Sequence, residues 1–329
     1  MAVQAASRGP VTRELLDEYC ERFRNWGNWG SEDEIGTLNY ITPSKVIEAA
    51  GLVRQGKILS LALPFEASSP QTGRFGRVNP IHQMVATGTD HVAGNQRVLD
   101  FEEGPYGFGY ADDTITMYLQ TGTQWDGLSH IFRDGKMWNG RDARLVSSAG
   151  AARNGIEKFK DKVVTRGVLL DIPRLKGVEH LEPGEAIYAE DLDAAAARAG
   201  LVIGEGDIVL IRTGELGRRL RERNWGPFSA GDAPGISFTT APWLAEKRLA
   251  GIASDTWGVE VRPNELKGAF QPLHLVIVVN MGLLVGEIFY LEELAQDCAQ
   301  DGVYEFLFVA SPLPITGAVG SPINPLAIK

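Results

Sequence analysis

Val168-Leu-Leu-Asp-Ile172 and Asp207-Ile-Val-Leu-Ile-Arg-Thr213 flank Ala189-Glu-Asp-Leu-Asp-Ala-Ala-Ala-Ala-Arg198, and together they decide the fold. The outer two are short apolar runs bounded by polar or Gly residues, which read as strands. The middle one is built from strong helix formers and stops at Gly200. Strand, helix and strand in succession indicate an α/β domain with a partly parallel sheet. The pattern continues with a helix near Pro242 to Lys247, a strand from Ala250 to Ser254, an apolar run after Gln271 and a strand from Val303 to Ala310. The tail from Pro312 to Pro325 reads as Pro/Gly-rich coil suited to wrapping a neighbouring copy, so a homo-oligomer is expected.

Working toward the N-terminus, Thr114 to Leu119 alternates like a strand and leads into Gln120. Residues 66 to 112 lack periodicity and read as a long irregular loop, a kind of segment that usually covers a site. Ile58 to Leu63 reads as a strand stopped by Pro64. Thr42 as N-cap and Pro43 at the first position start a helix expected to end before Gly56. Leu15, Leu16, Tyr19 and Phe23 recur at helical spacing over Thr12 to Phe23. The organisation expected is one domain: a helical extension, residues 1–56, packed on a catalytic domain, residues 57–329.

Of 329 residues, 44% are hydrophobic and 22% charged, an ordinary globular composition. A net charge of −10 argues against nucleic acid and anionic membrane surfaces as partners, since both need a basic face. Cys20 and Cys298 cannot build a disulfide framework or a Cys-based zinc site, which points to the cytoplasm. Met1 to Pro10 lacks the apolar core of an export signal. The longest apolar run, Leu273 to Val285, is too short to span a bilayer and is broken by Asn280 and Gly282.

The densest polar cluster is Gln120-Thr-Gly-Thr-Gln124-Trp-Asp126-Gly-Leu-Ser-His130. If 120–126 is extended, Gln120, Gly122, Gln124 and Asp126 share a face by period-two alternation, and His130 returns after a turn. Such a cluster is either a polar strand edge bonded to neighbouring backbone or a site. Around it in sequence lie Trp125, Trp138, Trp257, Phe132 and Tyr118, either core or an aromatic wall for a planar substrate. Asp255 follows a strand end, where ligands of α/β sheets often bind. Arg74 and Arg77 read as a solvated basic patch, and His82 as a solvated loop residue. No phosphate-binding loop, Gly-x-Ser-x-Gly elbow or dinucleotide fingerprint is present.

The cluster resembles the signature His-x-Gly-Thr-His-x-Asp-x-Pro-x-His of the cyclase family that includes bacterial kynurenine formamidase and isatin hydrolase. Gly122, Thr123, Asp126 and His130 match it. Gln120 and Gln124 stand where the family has two metal-binding His, and Leu128 stands in place of Pro. The resemblance extends from about Trp26 to Leu294: through Trp29-Gly-Ser-Glu-Asp-Glu-Ile-Gly-Thr-Leu-Asn39, Gly167 to Asp171, Gly206 to Gly214, Pro234 to Ser237, Ser254-Asp-Thr256, and His274 followed by Glu287.

The resemblance implies a swivelling β/β/α fold and a hydrolase cleaving a C–N or C–O bond of a small cyclic or aryl amide, imide or lactone. It implies a Mn²⁺ or Zn²⁺ site, with Gln120, Gln124 and Asp126 at the motif's ligand positions. His130 becomes the acid/base, and His274 with Glu287 the distal pair. A Gln carbonyl is a neutral, weak ligand; oxygen-rich sets suit Mn²⁺ better than Zn²⁺. The two Gln, with Trp125 and Asp255, could instead position substrate or its oxyanion. Two rival readings stand beside hydrolysis. One is a metal-free cyclase, dehydratase or isomerase using His130 and Glu287; the other is a non-catalytic small-molecule-binding homologue.

Overall fold

The computed structural model describes residues 9–96 and 107–329. A nine-stranded mixed sheet forms its centre. Val164–Asp171, Ile208–Arg212, Gly251–Ser254 and Leu284–Glu287 lie side by side and run parallel. All five residues of Ile208–Arg212 are buried, as expected for a strand covered on both faces. Parallel neighbours need crossovers, and the helices Ala189–Arg198, Ala241–Lys247 and Pro272–Ile277 lie within these connections. Beyond Leu284–Glu287 the sheet continues through two antiparallel strands, Gln124–Asp126 and then Gly320–Pro322. On the other side Glu305–Val309, Leu326–Ile328 and Ile58–Ser60 complete it. The fold is the α/β one with a partly parallel sheet anticipated from the sequence.

The N-terminal segment packs on this core. Thr12 caps the helix Arg13–Arg22 by accepting from the Leu15 N–H, and its Leu16 and Cys20 join the main apolar cluster against Pro272–Ile277. Thr42 caps Pro43–Ala50 through the Lys45 N–H at 3.2 Å, and this helix lies on Val164–Asp171. It stops at Gly51 rather than near Gly56, because the chain turns off to pair the Gln55 and Lys57 N–H groups with the Lys329 carbonyl. Among the described residues no helix is long and apolar enough to cross a membrane.

Two readings of irregular chain are corrected. Within 66–112, Ile81–Ala86 pairs antiparallel with Asp112–Thr116, and Gly88–Val92 is a short helix. Nearly every residue of this hairpin faces solvent, so burial imposes no period-two pattern to be read. His82, exposed as expected, bonds Asp113 at 2.7 Å, and Asp112 and Asp113 belong to the second strand. Residues 97–106 of the expected loop lie outside the described residues.

The second correction is the tail. It folds back on its own sheet instead of reaching outward: Gly320–Pro322 pairs with Gln124–Asp126, and Leu326–Ile328 bridges Glu305–Val309 and Ile58–Ser60. Pro322 is tolerated because its strand is outermost.

Candidate active site

The C-terminal end of Leu284–Glu287 and the antiparallel Gln124–Asp126 bring the first residues together. Glu287 is the register partner of Gln124, and Val285 of Asp126. Strand alternation sends the Gln124 and Asp126 side chains to one face and Trp125 to the other. Trp125 is wholly buried, donates from Nε1 to the Ala310 carbonyl at 2.7 Å, and packs on Phe289 and Phe308. It is a core residue, not the substrate-positioning group expected from its place in the motif.

On the opposite face Gln124 Nε2 donates to Glu287 Oε2 at 2.8 Å and lies 3.5 Å from Asp126 Oδ1. Gln124 therefore presents its amide nitrogen to the carboxylates. It enters the group as a donor, not as the oxygen ligand anticipated for a metal. Residues 120–123 are turn rather than strand, yet Gln120 still reaches the same face. A Cβ at Gly320, the register partner of Asp126, would fall 2.5 Å from Gln120 Nε2. Gly122 leaves room for the Phe65 ring, whose Cε1 would lie 2.7 Å from a Cβ there.

The helix Pro272–Ile277 supplies His274 to this group. Its Nδ1 bonds Glu260 Oε1 at 2.6 Å, and its Nε2 lies 3.5 Å from Glu287 Oε1, at ion-pair distance but outside hydrogen-bond geometry. Glu260 also accepts from the Leu273 and His274 N–H groups, which fixes both the helix start and the imidazole. Burial disfavours the imidazolium, but Glu260 and Glu287 outweigh it and hold the His274 pKa up to about 10. Asp126, His274 and Glu287 each offer one ligand atom within 4.8 Å of the others.

His130 reaches the group from the turn after Asp126, with Nε2 3.8 Å from Asp126 Oδ1. Burial pushes its pKa below the ordinary value, against the pull of Asp126. Burial and the Glu287 charge raise Asp126 to about 6, while His130 acts in the other direction. Three buried polar atoms here, Gln120 Nε2, Gln124 Oε1 and His274 Nε2, have no hydrogen-bond partner among the described residues. Buried polar atoms are normally satisfied, so such a concentration marks a place shaped for an occupant.

Asp255 stands apart. Its carboxylate accepts from the Thr213 N–H, the Thr213 hydroxyl and the Gly214 N–H, all within 2.7–2.8 Å, so it staples the turn after Ile208–Arg212. Burial lifts its pKa to about 6 against the lowering influence of those donors. Sequence reasoning missed Glu260, whose only signal is a lone carboxylate between Val259 and Val261. It also misplaced Arg77, which acts on both Asp126 and His130 and lies over the Trp257 ring at 5.3 Å.

The chain belongs to the Cyclase family, described as "Putative cyclase", which matches residues 59–261. It is similar to the crystal structure of a novel cyclase at 40% identity and a TM-score of 0.84, covering 93% of this chain and 100% of that one. Isatin hydrolase A from Labrenzia aggregata, bound to benzyl benzoate, shares the fold at 17% identity and a TM-score of 0.57, covering 86% and 97%. A protein from Bacillus stearothermophilus described as a predicted metal-dependent hydrolase follows at 18%, a TM-score of 0.51, and 82% and 97% coverage. No curated protein matches the chain.

Proposed function

We propose that the protein is a hydrolase that opens a C–N or C–O bond of a small cyclic or aryl amide, imide or lactone. The observation that carries this reading is the convergence of Asp126, His274 and Glu287, with His130 beside Asp126 and unpartnered polar atoms around them. The fold shared with isatin hydrolases supports the same class of chemistry.

Each group then has a task. Hydrolysis adds water to the carbonyl carbon, breaks the bond to nitrogen or oxygen, and moves one proton from the water to the leaving group. His130 is neutral near pH 7, because burial lowers its pKa, and so accepts the proton of the attacking water and returns it to the leaving atom. Asp126, 3.8 Å from Nε2, stabilises the charged form of the imidazole electrostatically. Gln120 Nε2, buried and unpartnered, is a donor for the oxygen on which charge develops.

A divalent cation would fit the donor set by displacing the Nε2 proton that Glu260 and Glu287 hold on His274, so its binding would release a proton. His274 gives its Nδ1 side to Glu260 and leaves Nε2 toward Glu287, the arrangement in which a carboxylate orients a metal-binding imidazole. Asp126, His274 and Glu287 would hold the ion, with Gln124 hydrogen-bonded to Glu287 beside them. When bound, such an ion polarises a carbonyl and acidifies water. Two carboxylates and one imidazole suit Mn²⁺ or Zn²⁺.

A second reading, a metal-free cyclase, dehydratase or isomerase, is favoured by the Gln124 amide, which already occupies one oxygen of Glu287. Turnover of a panel of lactones, imides and N-formyl anilines, before and after chelation with elemental analysis, tests both. Ring opening that is lost with the metal and restored by Mn²⁺ or Zn²⁺ supports the first. Turnover that survives with less than about a tenth of an equivalent of metal supports the second. Tight binding with no turnover leaves a binding protein.

A further inference from the structure

A wall of cations and rings stands over this centre and none of the steps above uses it. Trp257 is buried beside Gly258, where a Cβ would lie 2.7 Å from Gln271 Nε2 and 3.8 Å from Glu287 Oε1. The Trp257 ring meets Phe75, stacked at 5.9 Å, and the guanidinium groups of Arg77 at 5.3 Å and Arg262 at 5.7 Å. Arg262 also lies over Phe270 at 4.8 Å, and Phe75 and Phe270 are largely exposed. Arg77 acts electrostatically on Asp126 and His130, and Arg262 on Glu260 and Glu287, which sets the wall next to the catalytic face.

Two donors in this wall are left over. Trp257 Nε1 and Arg262 Nη1 are buried, and neither has a hydrogen-bond partner among the described residues. Arg262 spends Nη2 on the Ala230 carbonyl at 2.6 Å, and Arg74 donates to the same oxygen at 3.3 Å. Among the described residues no carboxylate comes within ion-pair distance of Arg74, Arg77 or Arg262. Elsewhere in the chain buried arginines are paired, as Arg212 is with Asp171 and Glu292, and Arg219 with Glu215. A guanidinium terminus buried without an acceptor costs stability, so its retention beside a site calls for an external acceptor.

We propose that Arg262, Trp257 and Arg77 form a subsite for a carboxylate carried on or next to a planar ring. This carboxylate is present before hydrolysis and is distinct from the one that ring opening creates. Arg262 Nη1 and Trp257 Nε1 donate to its oxygens, Arg77 supplies a second cation, and Phe75 and Phe270 take the ring. The assignment rests on the hydrolase reading only in calling the bound molecule a substrate.

Calorimetric titration with benzoate and its uncharged analogue benzamide tests the subsite without requiring turnover. Benzoate is expected to bind at least about tenfold tighter, as a charge-assisted hydrogen bond provides. Arg262→Gln should abolish that preference with benzamide binding unchanged; Trp257→Phe, which keeps a ring but removes Nε1, should narrow it. Arg262→Lys should restore part of it, and Arg198→Gln, on a separate surface cavity, should leave it intact. Equal binding of the two ligands, binding of neither, a preference that survives both Arg262→Gln and Trp257→Phe, or one lost in Arg198→Gln overturns the proposal. Hydrolysis of phthalimide and 4-carboxyphthalimide separates the two readings. Benzoate preference without hydrolysis of either leaves the subsite and removes the hydrolase, whereas hydrolysis without benzoate preference does the reverse.

Discussion

Gln124 and Glu287 are register partners on adjacent antiparallel strands, and the Gln124 amide donates across that pair to Glu287 at 2.8 Å. The ladder itself sets this contact, so any side chain at 124 meets Glu287. Gln124→His would replace a donor amide by an imidazole between Asp126 and Glu287. Imidazole is a far better zinc ligand than a carboxamide. The variant is expected to bind Zn²⁺ at least about tenfold tighter than the parent chain in competition with a chromogenic chelator. Equal affinities would show that position 124 does not face the ion.

His130→Ala removes the proton carrier and is expected to lower kcat by about 10² to 10⁴. Its side chain sits at the margin of the site, about one-fifth exposed, so the thermal midpoint should shift little. Pre-steady-state measurement of the chemical step reads the effect directly; an unchanged rate would assign the proton transfer elsewhere.

The pH dependence has a definite sign. Asp126, raised to about 6, must be ionised, and His130, lowered below its ordinary value, must be neutral. Both requirements fail in acid, so kcat/KM should fall as pH drops through about 6. The two groups lie 3.8 Å apart, and the acid limb belongs to them as a pair. A kcat/KM profile flat from pH 5 to 7 would contradict this assignment.

Gly286→Ala tests the packing under the site. A Cβ there would fall 2.4 Å from Trp125 Cζ3, 2.7 Å from Phe289 Cε2 and 2.8 Å from the Ala253 Cβ. These neighbours are wholly buried, so the clash cannot relax outward. A loss of about 2 kcal/mol or more is expected from denaturant unfolding. Stability equal to that of the parent chain would mean that Trp125 has room to move.

The pair of strands Ile81–Ala86 and Asp112–Thr116 exposes Ile81, Met84, Val85 and Ile115 over its two faces. A two-stranded ribbon is marginal by itself, and exposed apolar groups on it favour a partner surface. A homo-oligomer is therefore expected in light scattering, converted toward monomer by the double change Val85→Lys and Ile115→Lys. A monomeric parent chain would sink this expectation.

The parallel half of the sheet was legible because burial on both faces forces apolar runs such as Ile208 to Ile211, with Gly and polar residues marking their ends. Ala189–Arg198 was legible to the residue, since its composition and Gly200 leave no competing structure. The exposed strand pair was legible only over Thr114 to Thr116, because strands facing solvent need no hydrophobic pattern; the tail strands are buried but only three residues each, and Gly, Ser and Pro in Gly320–Pro322 hide the first of them. At the site, the resemblance placed Asp126, His130, His274 and Glu287 in order along the chain, and the fold brings them together. Trp125 failed because proximity in sequence to Asp126 means opposite faces on a strand. Glu260 escaped notice because its partner His274 becomes a neighbour only through tertiary packing, and Arg262 because nothing in the sequence marks its contact with the nearby Trp257.

The strand that carries Asp126 has both of its sheet neighbours far downstream, Leu284–Glu287 on one edge and Gly320–Pro322 on the other. During translation Gln124–Asp126 therefore emerges with no pairing strand yet made. At roughly 5–20 residues per second the wait is on the order of ten seconds or more. Loop closure over such separations also slows folding. The site is thus a late product of biosynthesis, complete only after Leu284–Glu287 and Gly320–Pro322 have emerged.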